Sequence, residues 1–153
     1  MTGRNATTVY PKPHVAQSTL GLLKAARSGL DEASAATTPG ARFAAAHLSA
    51  LRGAAALLAA RARPDTRKGT RNVWVLLPRV VPAMEEWAAF FAAGARKRAT
   101  AEAGLPWAVT PREADDLLRD ADTFLTLVET TLGLTPGPAS DVSGLHGSSR
   151  VGV

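Results

Sequence analysis

The chain contains no cysteine among its 153 residues, which excludes disulfide frameworks, thiolate catalysis and cysteine-based metal sites. Its three histidines, His14, His47 and His146, lie far apart with no H-x(3–5)-H pair, so a structural zinc site is not expected, and neither is a cofactor. There is no G-x-x-x-x-G-K-[ST] phosphate loop, no G-x-S-x-G elbow and no H-E-x-x-H motif, which sets aside nucleotide hydrolysis and metalloprotease chemistry. Aromatic residues make up only 5%. No uninterrupted apolar run approaches the roughly 18 residues of a membrane span. The nearest, Leu48 to Ala60, is broken by Arg52. Met1 to Pro13 is polar and lacks the apolar stretch of a signal peptide. Asn5-Ala6-Thr7 matches a glycosylation sequon that has no use without secretion. The expected setting is cytoplasmic, with no membrane.

What the chain has is alanine and leucine, which supply most of a 46% hydrophobic fraction. Alanine has the highest intrinsic helix propensity and suits close helix packing, whereas sheets draw on β-branched and aromatic residues. A single all-α domain of this length can bury a substantial core. The formal charge is +5 and the pI about 10.4, a balance that favours nucleic acid. Arginine also far outnumbers lysine in an alanine-, glycine- and proline-rich chain, a bias that coding composition alone produces.

Periodicity places the helices. Residues 1–13, with Pro11 and Pro13, read as a flexible N-terminal arm. A first helix is expected from Val15 to Arg27, ended or bent at Gly29, with Leu30 to Ala36 adding a turn or two. Thr38 and Pro39 open a second, which Pro64 stops. Phe43, His47, Ala50, Leu51, Ala54, Leu57 and Leu58 form its apolar stripe, with Arg42, Ser49 and Arg52 off it. A third runs from Val73 to Ala101, with Pro78 and Pro82 either kinking or splitting it. Thr110-Pro111-Arg112-Glu113 is a capping box opening a fourth, which Gly133 ends. Residues 134–153 read as a disordered tail of Gly, Ser, Pro and Thr. Residues 14–133 thus predict an up-down bundle of four to five helices.

Chemistry concentrates in two places. Arg42 and His47 stand in R-x4-H spacing, about 140° apart on a straight helix, so only a two-fold dimer would bring such pairs into one site. There His47 would serve as acid or base and Arg42 would stabilise developing charge. The alternative makes His47 a core-edge histidine and Arg42 a solvated residue. The second place is Arg61, Arg63, Arg67, Lys68 and Arg71, opposed only by Asp65. A basic loop of this kind follows a phosphate backbone without sequence preference; the alternative is a solvated connection whose cations complement a helix C-terminus. Arg96, Lys97 and Arg98 face the acids of the fourth helix, Glu113, Asp115, Asp116, Asp120 and Asp122, which are their expected partners. Asp115 and Asp116 diverge by about 100° and read as a solvated face rather than a metal site.

Ala41 to Arg52, Asn72 to Leu77, Glu86 to Phe91 and Val109 to Leu117 together resemble an alanine-rich actinobacterial family of HEPN domains, over roughly Val15 to Gly133. The resemblance implies a four- or five-helix bundle, often dimeric, tied to RNA processing, toxin–antitoxin systems or phage defence. In catalytic members an Arg-x(4–6)-His motif opens a late helix. Here the R-x4-H pair sits in the second helix, and Arg71-Asn72-Val73-Trp74 has no histidine at the required spacing. The expected function is therefore a non-catalytic bundle binding RNA or a partner protein, with a second copy of the chain as a further partner. Its rivals are a metal-independent ribonuclease using Arg42 and His47 across a dimer, and a purely structural protein with a surface around Trp74 and Phe90.

Overall fold

A computed structural model describes residues 15–63, 66, 69–105 and 107–137. The expected N-terminal arm, His14, Pro64, Asp65, Arg67, Lys68, His146 and most of the expected tail lie outside the described residues. Five α-helices account for the fold: α1 Gln17–Ala35, α2 Pro39–Arg61, α3 Val73–Val80, α4 Glu85–Glu102 and α5 Pro111–Thr131. No strand is present among the described residues.

The expected break at Gly29 does not occur: α1 runs through it without interruption. Gly29 is there for contact. A Cβ at this position would collide with the Ser49 hydroxyl of α2, so its hydrogen lets the two helices approach. Ser49, read as lying off the buried stripe, is consequently fully buried, and its hydroxyl donates to the Ala45 carbonyl at 2.9 Å.

The expected long third helix is split. Val81 leaves helical geometry (φ −129°, ψ 87°), a single 3₁₀ turn spans Pro82–Met84, and α4 starts afresh at Glu85. The cause is Pro82, whose ring disfavours helical backbone at the residue before it and which has no N–H to donate. Pro78 is accommodated inside α3.

Caps define the other ends. The Thr38 side chain accepts from Ala41 N–H ahead of Pro39, Asn72 accepts from Trp74 N–H at 3.0 Å, and Thr110 accepts from Glu113 N–H at 3.1 Å. At the end of α5, Gly133 takes φ +73°. Gly133 N–H then donates to Thr130 carbonyl and Leu134 N–H to Glu129 carbonyl, closing the helix in the manner glycine permits.

Helix α2 is the centre of the bundle and packs against α1, α3, α4 and α5. Its alanines make this possible: Ala46, Ala50, Ala54 and Ala56 are all fully buried, on more than one face. By length and composition α2 would also pass as a membrane span, but over half of that window is enclosed by its neighbours. Beside it, Trp74 stacks on Phe91 at 5.1 Å between ring centroids, and Phe91 meets Phe124 at the same distance. Trp74 is buried, so the surface expected around Trp74 and Phe90 keeps only Phe90, with Val75 nearby in sequence also exposed.

Candidate nucleic-acid interface and the buried histidine

The bundle sends Arg42 and His47 to different surroundings. Arg42, one turn into α2, reaches back to the end of α1. Its Nε donates to Ala33 carbonyl at 3.2 Å, and one terminal nitrogen donates to the carbonyls of Ser34 (3.5 Å) and Ala36 (3.0 Å). The other terminal nitrogen pairs with Asp115 of α5 at 2.6 Å. Arg42 is therefore a side-chain cap for α1, tied to α5, rather than a solvated residue.

His47 points the other way and has 0% exposure. Its Nε2 lies 2.8 Å from Phe91 carbonyl, and its Nδ1 lies 3.2 Å from a terminal nitrogen of Arg98. The chemistry of these partners fixes the tautomer. Arginine only donates, so Nδ1 accepts, and the proton on Nε2 is donated to the carbonyl. Burial above all holds the pKa below its ordinary 6.5; Arg98 adds to the depression, while the Phe91 bond and Glu102 oppose it. A neutral ring, hydrogen-bonded at both nitrogens and packed among Phe43, Trp74 and Phe91, does not offer a nitrogen to solvent. The two-fold catalytic arrangement needs that access.

The expected basic loop gains a member from elsewhere in the fold. Arg61, Arg63, Thr66, Arg79 and Val80 line one polar pocket of about 580 Å³ at the α2 C-terminus. Arg61 is steadied by donating to Thr131 carbonyl at 2.9 Å, and Thr66 Oγ1 accepts the Arg63 N–H at 3.0 Å. Arg71 is exposed next to the start of α3 and does not line this pocket. Arg79 was not legible from local sequence. Its only signal was a position beside Pro78, on the outward arc of α3.

One of the pairs expected between the α4 cations and the α5 acids forms, and the rest of the pairing differs. Lys97 pairs with Glu113, Arg98 with Glu102, and Arg119 with Asp116. Asp122 belongs to Arg27 of α1, which also binds Glu129. Asp115 and Asp116 thus face separate arginines, and among the described residues no three acidic or histidine side chains converge as a metal site would require.

Comparison with known proteins adds one finding. The family described as SAV_6107-like HEPN matches residues 33–129, which take in the end of α1 and nearly all of α2 to α5. No curated protein and no solved structure matches the chain significantly.

Proposed function

This chain belongs to the SAV_6107-like HEPN family, and from that premise we propose that it is a non-catalytic cytoplasmic bundle that binds RNA through its arginine-lined end. The observation that carries the reading is the pocket in which Arg61 and Arg63 at the end of α2 meet Arg79 of α3. Guanidiniums from α2, from the segment just past it and from α3 line one pocket, and guanidinium geometry matches phosphate oxygens. Arg67, Lys68 and Arg71 extend the same basic segment in sequence. With no aromatic side chain lining the pocket among the described residues, the recognition is of backbone phosphate rather than of base identity.

The enclosed, doubly bonded His47 supports the non-catalytic half of the reading. The rival, a metal-independent ribonuclease working through Arg42 and His47, makes a different demand on the same sample.

The test is a titration of fluorescently labelled single-stranded RNA at several salt concentrations, without added metal. Arg63→Ala and Arg79→Ala should each weaken binding alike for unrelated sequences. Each should also lower the salt slope by about 0.7 for every phosphate of a single strand that it no longer neutralises. Affinity that neither substitution changes would overturn the assignment. RNA cleavage that disappears in both Arg42→Ala and His47→Gln would replace it with the ribonuclease.

A further inference from the structure

A second surface, chemically opposite to the arginine pocket, lies between α4 and α5. Both helices pack on α2 in preference to each other, and a groove of about 420 Å³ remains between them. On α4 it is lined by Phe90, Ala93, Gly94 and Lys97, and on α5 by Glu113, Asp116, Leu117 and Asp120. Each set has i, i+3, i+4, i+7 spacing, so each is one face of its helix. The seven residues separating the ends of each set span about 10 Å, two helical turns.

The floor is apolar. Phe43 of α2 and Leu117 are buried beneath it, while α4 contributes only Ala93 and Gly94 at its middle. Gly94 sits directly over the buried imidazole: a Cβ there would come 3.3 Å from His47 Cδ2. Nothing on α4 fills the space above. At the mouth stands Phe90, a large aromatic with 44% exposure that continues the apolar floor out to solvent.

The rim is acidic, and one acid is unmatched. Glu113 is paired with Lys97 and Asp116 with Arg119. Asp120 makes no ion pair and accepts no hydrogen bond among the described residues, although it is half-buried in the groove wall. Such a surface repels a nucleic-acid backbone and attracts a cation attached to apolar side chains.

We propose that the groove between α4 and α5 docks a two-turn amphipathic helix of a partner protein, with an apolar side chain seated over Phe90 and Leu117 and an arginine or lysine paired with Asp120. The helix-in-groove mode reads its ligand by anchors at i, i+3, i+4 and i+7, and the groove runs along α4 and α5 for the two turns such anchors span. The state of Asp120 agrees: burial first, then the charge of Asp116, raises its pKa against partial relief from Arg119. A ligand cation adds to the partial relief that Arg119 gives.

The experiment is selection from a displayed library of short helices on the full-length chain, followed by fluorescence anisotropy with the selected peptides. The expected winners carry leucine or phenylalanine on one face with arginine or lysine beside it. Asp120→Asn and Phe90→Ala should each weaken them by about tenfold or more, while RNA affinity stays as in the parent. A peptide with its cations replaced by glutamate should not bind. A library that yields no binder, or binders indifferent to both substitutions, overturns the proposal. So does a dimer of the free chain that both substitutions dissociate, since the groove would then hold a second copy. Circular dichroism on both variants keeps loss of fold from passing as loss of binding.

Discussion

Arg98 approaches His47 from α4 and places a terminal nitrogen 3.2 Å from its Nδ1. A guanidinium in that position works against a proton on the ring, as burial does, so the native state holds His47 neutral. The unfolded chain protonates it near 6.5. Below that pH the unfolded state binds the extra proton first, and stability falls as pH falls until the native histidine is itself protonated. Thermal melts between pH 8 and 5 should show this decline, and His47→Gln, which can still donate to Phe91 carbonyl and accept from Arg98, should flatten it. A parent protein whose stability rises on acidification through this window would contradict the neutral assignment.

Gly29 and Ser49 are expected to behave as one unit. Gly29→Ala alone should destabilise by about 1–3 kcal/mol, the usual cost of overfilling a packed interface. In a Ser49→Ala background the offending hydroxyl is absent. Alanine's helix preference, about 1 kcal/mol over glycine, should then offset most of the loss. Urea unfolding of the four members of the cycle measures the coupling; strictly additive effects would mean that this pair does not limit the approach of α1 to α2.

The tie between α1 and α5 carries a larger stake. Arg27 donates to Asp122, Thr126 and Glu129, and Glu129 is buried. Glu129 also accepts the Gly137 N–H at 2.7 Å. Arg27→Met should cost about 3 kcal/mol, because it leaves a buried carboxylate without its cation. Adding Glu129→Gln should recover a good part of that loss. Denaturant midpoints for the single and double variants check it, and a double variant no better than Arg27→Met would place the cost in packing instead.

Asp120 should show the reverse of an ordinary paired acid. Its native pKa lies above the reference value of 3.8, so ionisation at neutral pH works against folding and protonation relieves it. Asp120→Asn is accordingly expected to raise the melting temperature at pH 7 and to lose that advantage toward pH 3. A variant that melts lower at pH 7 would show that the carboxylate has a stabilising partner.

Much of the architecture could be read from the chain because the relevant signals are local. Thr38-Pro39, Thr110-Pro111 and Gly133 act within a turn of where they stand and set the helix ends they announce, although the Glu113 carboxylate of the expected capping box pairs with Lys97 instead. Gly29 misled for the same reason. A glycine suggests a break when only its own helix is in view, whereas its role here is to admit Ser49 from another helix. Val81 shows an intermediate case: Pro78 is carried inside α3 whereas Pro82 ends it, and the two prolines look alike in the sequence. The surroundings of Arg42, His47 and Arg79 come from positions many residues away. Periodicity assigns a face to each side chain and does not identify what lies opposite. The unmatched state of Asp120 was least visible of all, since it depends on where every neighbouring cation is spent.

The clasp that Arg42 makes on the end of α1 spans only 6 to 9 residues of sequence, whereas Arg27 reaches Glu129 across 102. Closing a short loop costs far less chain entropy than closing a long one, so contacts of the first kind form early. The α1–α2 hairpin, locked by Arg42 and capped by Thr38, is therefore the natural first surface on which α4 and α5 later settle. In stopped-flow refolding, Arg42→Met should chiefly slow folding and Arg27→Met chiefly speed unfolding. In order of synthesis, every residue of that hairpin precedes Arg79, the last arginine of the basic pocket.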